Sequence, residues 1–195
     1  HQQPCVLWNG MVASWAPMAM RGFIWYQGCH NAGEPQRYCS KMHALYDGWA
    51  KEFANPALKL YFVQLAPYKK SWFDVQMAQA KFAAEEPNAA LVTTCDIGNS
   101  WDIHPNDKET VAKRLALHAL RRDYGFGDVV DDAPVLKDWK SDGGKFAMTF
   151  GNAEKWYCCN ANGAAPQGFE VAGADGKFVP AKVMNKGAGD FKALR

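Results

Sequence analysis

A chain of 195 residues, 48% hydrophobic and 22% charged, is long enough for one large domain or a domain with a small appendage, and it is composed to bury a core. That composition excludes disorder, and the net charge of +2, spread over interspersed basic and acidic residues, excludes the basic footprint of a nucleic-acid binder. No apolar run approaches the ~20 residues that span a bilayer.

Strand and helix patterns alternate over the first two-thirds. RGFIWYQG (21–28) is a short apolar run closed by Gly28 and predicts a buried strand. In PQRYCSKMHALYDGWAKEF (35–53), Tyr38, Met42, Leu45, Tyr46, Trp49 and Phe53 recur at helical spacing behind Pro35, which suits the first turn of a helix. LKLYFVQLAP (58–67) predicts a second strand, and residues 74–86 a weaker helix with Val75, Ala78 and Phe82 on one side. AALVTTCDIG (89–98) predicts a third strand, with Cys95 buried as a small hydrophobe. A final helix follows the loop NSWDIHP: Asn106 with Glu109 three residues on resembles a capping box, Val111, Leu115, Ala119 and Leu120 line one face, and Gly125 ends it.

Such alternation predicts a parallel sheet covered by helices on both faces. Beyond about residue 130, short β-prone segments (145–150, 155–159, 168–173 and 177–183) are separated by Gly, Asn and Asp, the texture of antiparallel β structure. The expected division is an α/β core over 1–131 and a β region over 132–195. The chain starts at His1 without a leader and stops in a stretch that reads as folded, so the expectation is a piece of something longer.

Six cysteines, at 5, 29, 39, 95, 158 and 159, form no CxxC pair and no Cys/His metal spacing, so neither a metal nor a cofactor is expected. On a strand, Cys158 and Cys159 point to opposite faces and do not bridge each other.

Ligands of an open parallel sheet bind beyond the carboxyl ends of its strands. Two predicted strand ends carry capable groups: Gln27-Gly28-Cys29-His30-Asn31 after the first, and Asp96 to His104 after the third. Topology puts both loops on one edge. A lone histidine before a helix is more often a surface or capping residue, and it is the second loop that makes His104 a candidate base.

GFIWYQGCHNAGEPQRY, YFVQLAPY and DIGNSWDIHPNDKETVAKRLAL, in that order and spacing, resemble the sialate O-acetylesterase family of SGNH-type carbohydrate esterases. LWNGMVASWAP near the start and GFEVAGADGKFVPAKV near the end extend the resemblance over nearly the whole chain. The family implies a three-layer α/β/α, flavodoxin-like core and removal of acetyl esters from sugars. A serine attacks the acetyl carbonyl, a histidine takes its proton, an acid orients the histidine, and amide donors hold the oxyanion. Carried over, His104 is the base, Gln27 and Gly28 hold the oxyanion, and Asn31 is a further candidate. The resemblance also favours a periplasmic or secreted address.

The sequence departs from the pattern at three points. Many SGNH enzymes place Asp three residues before the histidine, where this chain has Trp101; Asp102 is the nearest carboxylate, and Asp96 is the alternative. Cys29-His30 stands where relatives often carry an acidic residue followed by a small polar one. A thiol nucleophile there is disfavoured because neighbours at a strand end diverge, and Cys29 reads as a packed residue. None of Ser14, Ser40, Ser71, Ser100 and Ser141 follows a strand into a Gly-flanked turn, so the nucleophilic serine is expected on an N-terminal segment outside this chain.

The expected partner is an O-acetylated carbohydrate, sialate first, with xylan or another acetylated polysaccharide as the alternative. A non-catalytic sugar-binding module, stacking rings on Trp25, Tyr26, Trp72 and Trp101, is a reading from a different class.

Overall fold

The structure, a computed structural model, describes residues 3–16, 18–69, 71–152, 169–185 and 191–194. It divides into two compact units, His1–Asp131 and Asp132–Arg195.

The first unit is built on three parallel strands in the order β1 (Gly22–Trp25), β2 (Lys59–Val63) and β3 (Ala89–Val92). The register pairs Phe23 with Leu60 and Tyr61 with Ala90. Helices α1 (Tyr38–Glu52), α2 (Phe73–Glu85) and α3 (Lys108–Asp123) fill the connections and the segment after β3. Period-two alternation on the central strand divides the layers. Leu60 and Phe62 join Tyr38, Met42 and Tyr46 of α1 and Val75 and Phe82 of α2 in one buried cluster. Tyr61 lies over His118 of α3 instead, with ring centroids 5.6 Å apart. The three-layer α/β/α arrangement is the one expected.

Each strand is shorter than its apolar run, because the residues beyond Trp25, Val63 and Val92 leave the ladder to form the loops of the sheet's carboxyl edge. Pro35 opens a separate 3-10 turn, Pro35–Arg37, rather than α1 itself. Two expectations need correction. Asp107, not Asn106, caps α3: its Oδ1 accepts from the Thr110 N–H at 2.9 Å, while Glu109 pairs with Lys113, so no capping box forms. Cys95 is exposed, because β3 ends at Val92 and buried Thr94, whose hydroxyl donates to the Gln64 carbonyl at 2.9 Å, starts a turn that carries Cys95 outward.

The second unit is antiparallel. Strands β4 (Val135–Asp142), β5 (Lys145–Gly151), β8 (Lys182–Asn185) and β9 (Phe191–Leu194) form a sheet in the order β4-β5-β9-β8. A separate two-stranded ribbon pairs β6 (Glu170–Ala172) with β7 (Phe178–Pro180). The predicted 177–183 segment is thus divided between two sheets. Residues 155–159, with Cys158 and Cys159, lie outside the described residues. Strand β4, for which no strand was predicted, joins β5 through Gly143-Gly144, both at positive φ (53° and 78°), as a two-residue hairpin turn of the twisted kind requires.

Candidate active site

All three parallel strands run the same way, so the segments leaving β1, β2 and β3 emerge at one edge. There the residues after β1 and those leading into α3 line a cleft of about 310 Å³, with Tyr26, Gln27, Gly28, Cys29 and His30 from the first, Ile103, His104 and Lys108 from the second, and Leu65 from the segment after β2.

The first wall is held from behind. Gln79 of α2 is fully buried; its Oε1 accepts from the Leu65 N–H at 3.0 Å, and its Nε2 donates to the carbonyls of Val63 at 3.2 Å and Gln27 at 3.4 Å. The Tyr38 hydroxyl donates to the same Gln27 carbonyl at 2.9 Å. Gly28 is buried against Leu65, and a Cβ there would stand 3.1 Å from two of its side-chain carbons, at a φ of +153° that side-chain-bearing residues rarely adopt. Only glycine lets the chain turn this close to Leu65.

The Gln27 side chain donates to Asn31 Oδ1 at 2.7 Å, and Asn31 in turn donates to Glu34 at 3.1 Å. Asn31 does not line the His104 cleft. It faces a neighbouring one, of about 320 Å³, that shares Gln27 and is otherwise lined by Trp25, Tyr38, Lys41, Met42 and Leu45. Gln27 therefore stands between the two clefts, and the amide proton given to Asn31 leaves one other donor on its nitrogen. Burial pushes the Cys29 thiol up, the opposite of what a thiolate nucleophile needs.

The second wall is a tight loop. Asn99 and Asp102 form a bridge, with the Asp102 N–H on the Asn99 carbonyl at 3.2 Å and the Trp101 N–H on Asn99 Oδ1 at 2.9 Å. The Asp102 carboxylate accepts from the backbone N–H of His104 at 2.8 Å, so it fixes the residue's main chain. No carboxylate among the described residues is hydrogen-bonded to the His104 ring. Asp96 is held by Arg114 through 2.8 and 2.5 Å contacts, and the hydrogen bonds from that guanidinium keep its carboxyl below the usual range. Arg114 also donates to the Thr93 carbonyl at 2.7 Å, tying the start of the loop to α3.

Lys108, the first residue of α3, escaped the sequence reading, which treated that helix start as capping alone. Its ammonium lies 5.0 Å from the centre of the Tyr26 ring and links the two walls. Of the aromatics weighed as sugar platforms, Tyr26 lines the cleft and Trp101 is 85% exposed on the loop. Trp72 is core, 7% exposed and stacked on Tyr68. None of the five serines lines the cleft. The second unit holds a larger cleft, about 590 Å³, lined by Trp139, Phe146, Met148 and Phe178 with Glu170. Among the described residues its lining includes no histidine, cysteine or serine.

A parallel α/β/α sheet with a histidine and an amide-bearing loop converging at its carboxyl edge defines a class, the α/β proteins whose ligands bind beyond the strand ends. Within that class the chain belongs to the sialic acid-specific acetylesterase family of carbohydrate esterases, whose model matches residues 5–121. It is similar to the sialate O-acetylesterases of Rattus norvegicus, 30% identical over 155 residues covering 68% of this chain, and of Homo sapiens, 30% over 153 residues covering 67%. It spans 29% of the length of each. A crystal structure of a carbohydrate acetylesterase from Xanthomonas citri superposes with a TM-score of 0.85 at 33% identity, covering 100% of this chain and 46% of that one. No helix among the described residues is long and apolar enough to cross a membrane.

Proposed function

We propose that this chain carries the histidine half of a carbohydrate O-acetylesterase site whose substrate is an O-acetylated sialic acid. The observation that carries the reading is the cleft that brings His104 against the Gln27-Gly28 wall. In this reaction His104 takes the proton of a serine hydroxyl as it attacks the acetyl carbonyl, then returns it to the departing sugar oxygen. Imidazole suits both steps because it exchanges protons near neutral pH. The Gln27 amide and the Gly28 N–H stabilise the tetrahedral oxyanion without adding charge. Asp102, already held against the His104 main chain, is the acid that orients the ring, since Asp96 is committed to Arg114. The serine comes from outside these 195 residues.

Lys108 supports sialate over the alternative, an acetylated xylan or other neutral polysaccharide. A cationic side chain lining the cleft complements the carboxylate that sialic acids carry and neutral sugars lack. On p-nitrophenyl acetate, the chain by itself should be no faster than its His104→Ala variant. In a protein that also supplies the serine, His104→Ala should lower kcat by on the order of 10⁴–10⁶-fold. There, Lys108→Gln should raise KM for O-acetylated sialate about 3–10-fold and leave acetyl xylan untouched. Rapid His104-dependent turnover by the chain alone would refute the external serine, and an equal effect of Lys108→Gln on both sugars would refute the sialate assignment.

A further inference from the structure

Away from the cleft, the contact between α1 and α2 assembles three side chains that the esterase reading does not use. Cys39 and His43 lie one turn apart on α1, which puts them on one face, and Glu85 is the last residue of α2. The Cys39 Sγ donates to Glu85 Oε2 at 3.3 Å, and His43 Nε2 lies 3.1 Å from the same oxygen. The three ligating atoms all fall within 4.8 Å of one another. Cys39 is buried, and the His43 ring is set edge-on to Phe82, with centroids 4.8 Å apart, so both donors have fixed directions. Glu85 Oε1 faces Lys81 Nζ at 3.7 Å, which leaves Oε2 for the cluster.

We propose that Cys39, His43 and Glu85 form a binding site for a divalent zinc ion that clamps α1 to α2. The donor set decides the class of metal. Thiolate, imidazole and a single carboxylate suit Zn²⁺, whereas Ca²⁺ and Mg²⁺ require shells of oxygen. The spacing fits as well: donor atoms around a tetrahedral zinc stand roughly 3.3–3.8 Å apart, as follows from bond lengths of about 2.0–2.3 Å. Small side-chain rotations take the three atoms to that geometry, and water completes the fourth position. On binding, the Cys39 proton leaves to solvent, the Glu85 hydrogen bond breaks and the Sγ–metal bond forms. The cation would also sit at the carboxyl end of α2, where unpaired carbonyls favour positive charge. The sequence trace of the site is Cys-x-x-x-His on a helix, a spacing unlike those of the zinc modules sought in the sequence. Its consequence is mechanical, because Cys39 adjoins Tyr38, whose hydroxyl holds the Gln27 carbonyl.

The test is to titrate the chain with Co²⁺, in the presence of a non-thiol reductant, and then to displace it with Zn²⁺. One equivalent of Co²⁺ should give a thiolate-to-cobalt charge-transfer band that Zn²⁺ abolishes. Cys39→Ser should remove the band and Cys29→Ser should leave it unchanged. His43→Gln and Glu85→Gln, both on partly exposed side chains, should each weaken Co²⁺ binding by at least about tenfold and cancel the rise in Tm that Zn²⁺ gives the unaltered chain. If Cys39→Ser fails to fold, these two variants carry the test. A band that survives Cys39→Ser, the absence of any band, or affinity unchanged in both His43→Gln and Glu85→Gln would overturn the proposal.

Discussion

Gln79 satisfies the backbone ends of two strands from a position that periodicity assigns to the apolar face of α2. Its amide serves the Leu65 N–H and the Val63 and Gln27 carbonyls from a fully buried site. Replacing it by leucine keeps the volume and removes the amide from the Leu65 N–H and the Val63 carbonyl, while the Gln27 carbonyl keeps the Tyr38 hydroxyl; a buried polar group left unmade costs about 1–3 kcal/mol. Gln79→Leu should therefore lower stability by roughly 1–3 kcal/mol in urea denaturation. A loss below about 0.5 kcal/mol would mean that water replaces the amide. A glutamine at an apolar helical position was the only sequence signal for this role, and the apolar pattern masked it. Residue by residue, the sequence revealed types better than partners. Gln27, Gly28 and His104 reach one cleft, but only coordinates reveal that Asn31 turns to the next one and that Lys108 bridges the walls.

The loop between β3 and α3 is anchored at each end, and both anchors involve carboxylates. At its start Asp96 is paired with Arg114, and at its end Asp107 caps the helix, the Thr110 N–H first among the bonds that lower its carboxyl. A folded-state pKa held below the unfolded value of about 3.9 adds stability that is complete above that value and is lost as pH falls through the depressed one. Below about pH 4, the unaltered chain should therefore lose stability faster than Asp96→Asn, by no more than about 1 kcal/mol because the pair is half exposed. The check is the urea midpoint measured at steps from pH 5 to pH 2.5, and parallel curves for the two proteins would refute it. Among elements, the α/β alternation was legible because buried strands and amphipathic helices have distinct periods. Strand β4 was not, since all eight of its residues are exposed and Lys and Asp interrupt any alternation. Its trace was the Gly143-Gly144 turn, read only as a separator. The Asn106 cap failed for another reason: Asn106 and Asp107 are both good caps, and the backbone chose between them.

At the scale of the whole molecule, the texture of the sequence changes near residue 131, as the helix–strand alternation gives way to short strands set among Gly and Asp. What texture could not reveal is how the first unit is fastened at that point. Asp131 lies beside three cationic or protonatable partners of α3: Arg122 Nε at 2.7 Å, His118 Nδ1 at 3.1 Å and Arg121 Nε at 3.4 Å. Burial by itself would raise its carboxyl, but the hydrogen bonds from Arg122 and His118 outweigh that and hold it low. A cut for expressing the first unit by itself therefore has a correct side. A fragment ending at Asp131 keeps the carboxylate opposite buried His118, whereas one ending at Asp128 strips it away. By thermal denaturation followed by circular dichroism, the shorter fragment should melt several degrees lower, a loss of about 1–3 kcal/mol. Three residues at a seam, rather than any residue of the core, would then decide whether the sheet that carries His104 can be handled as an independent piece.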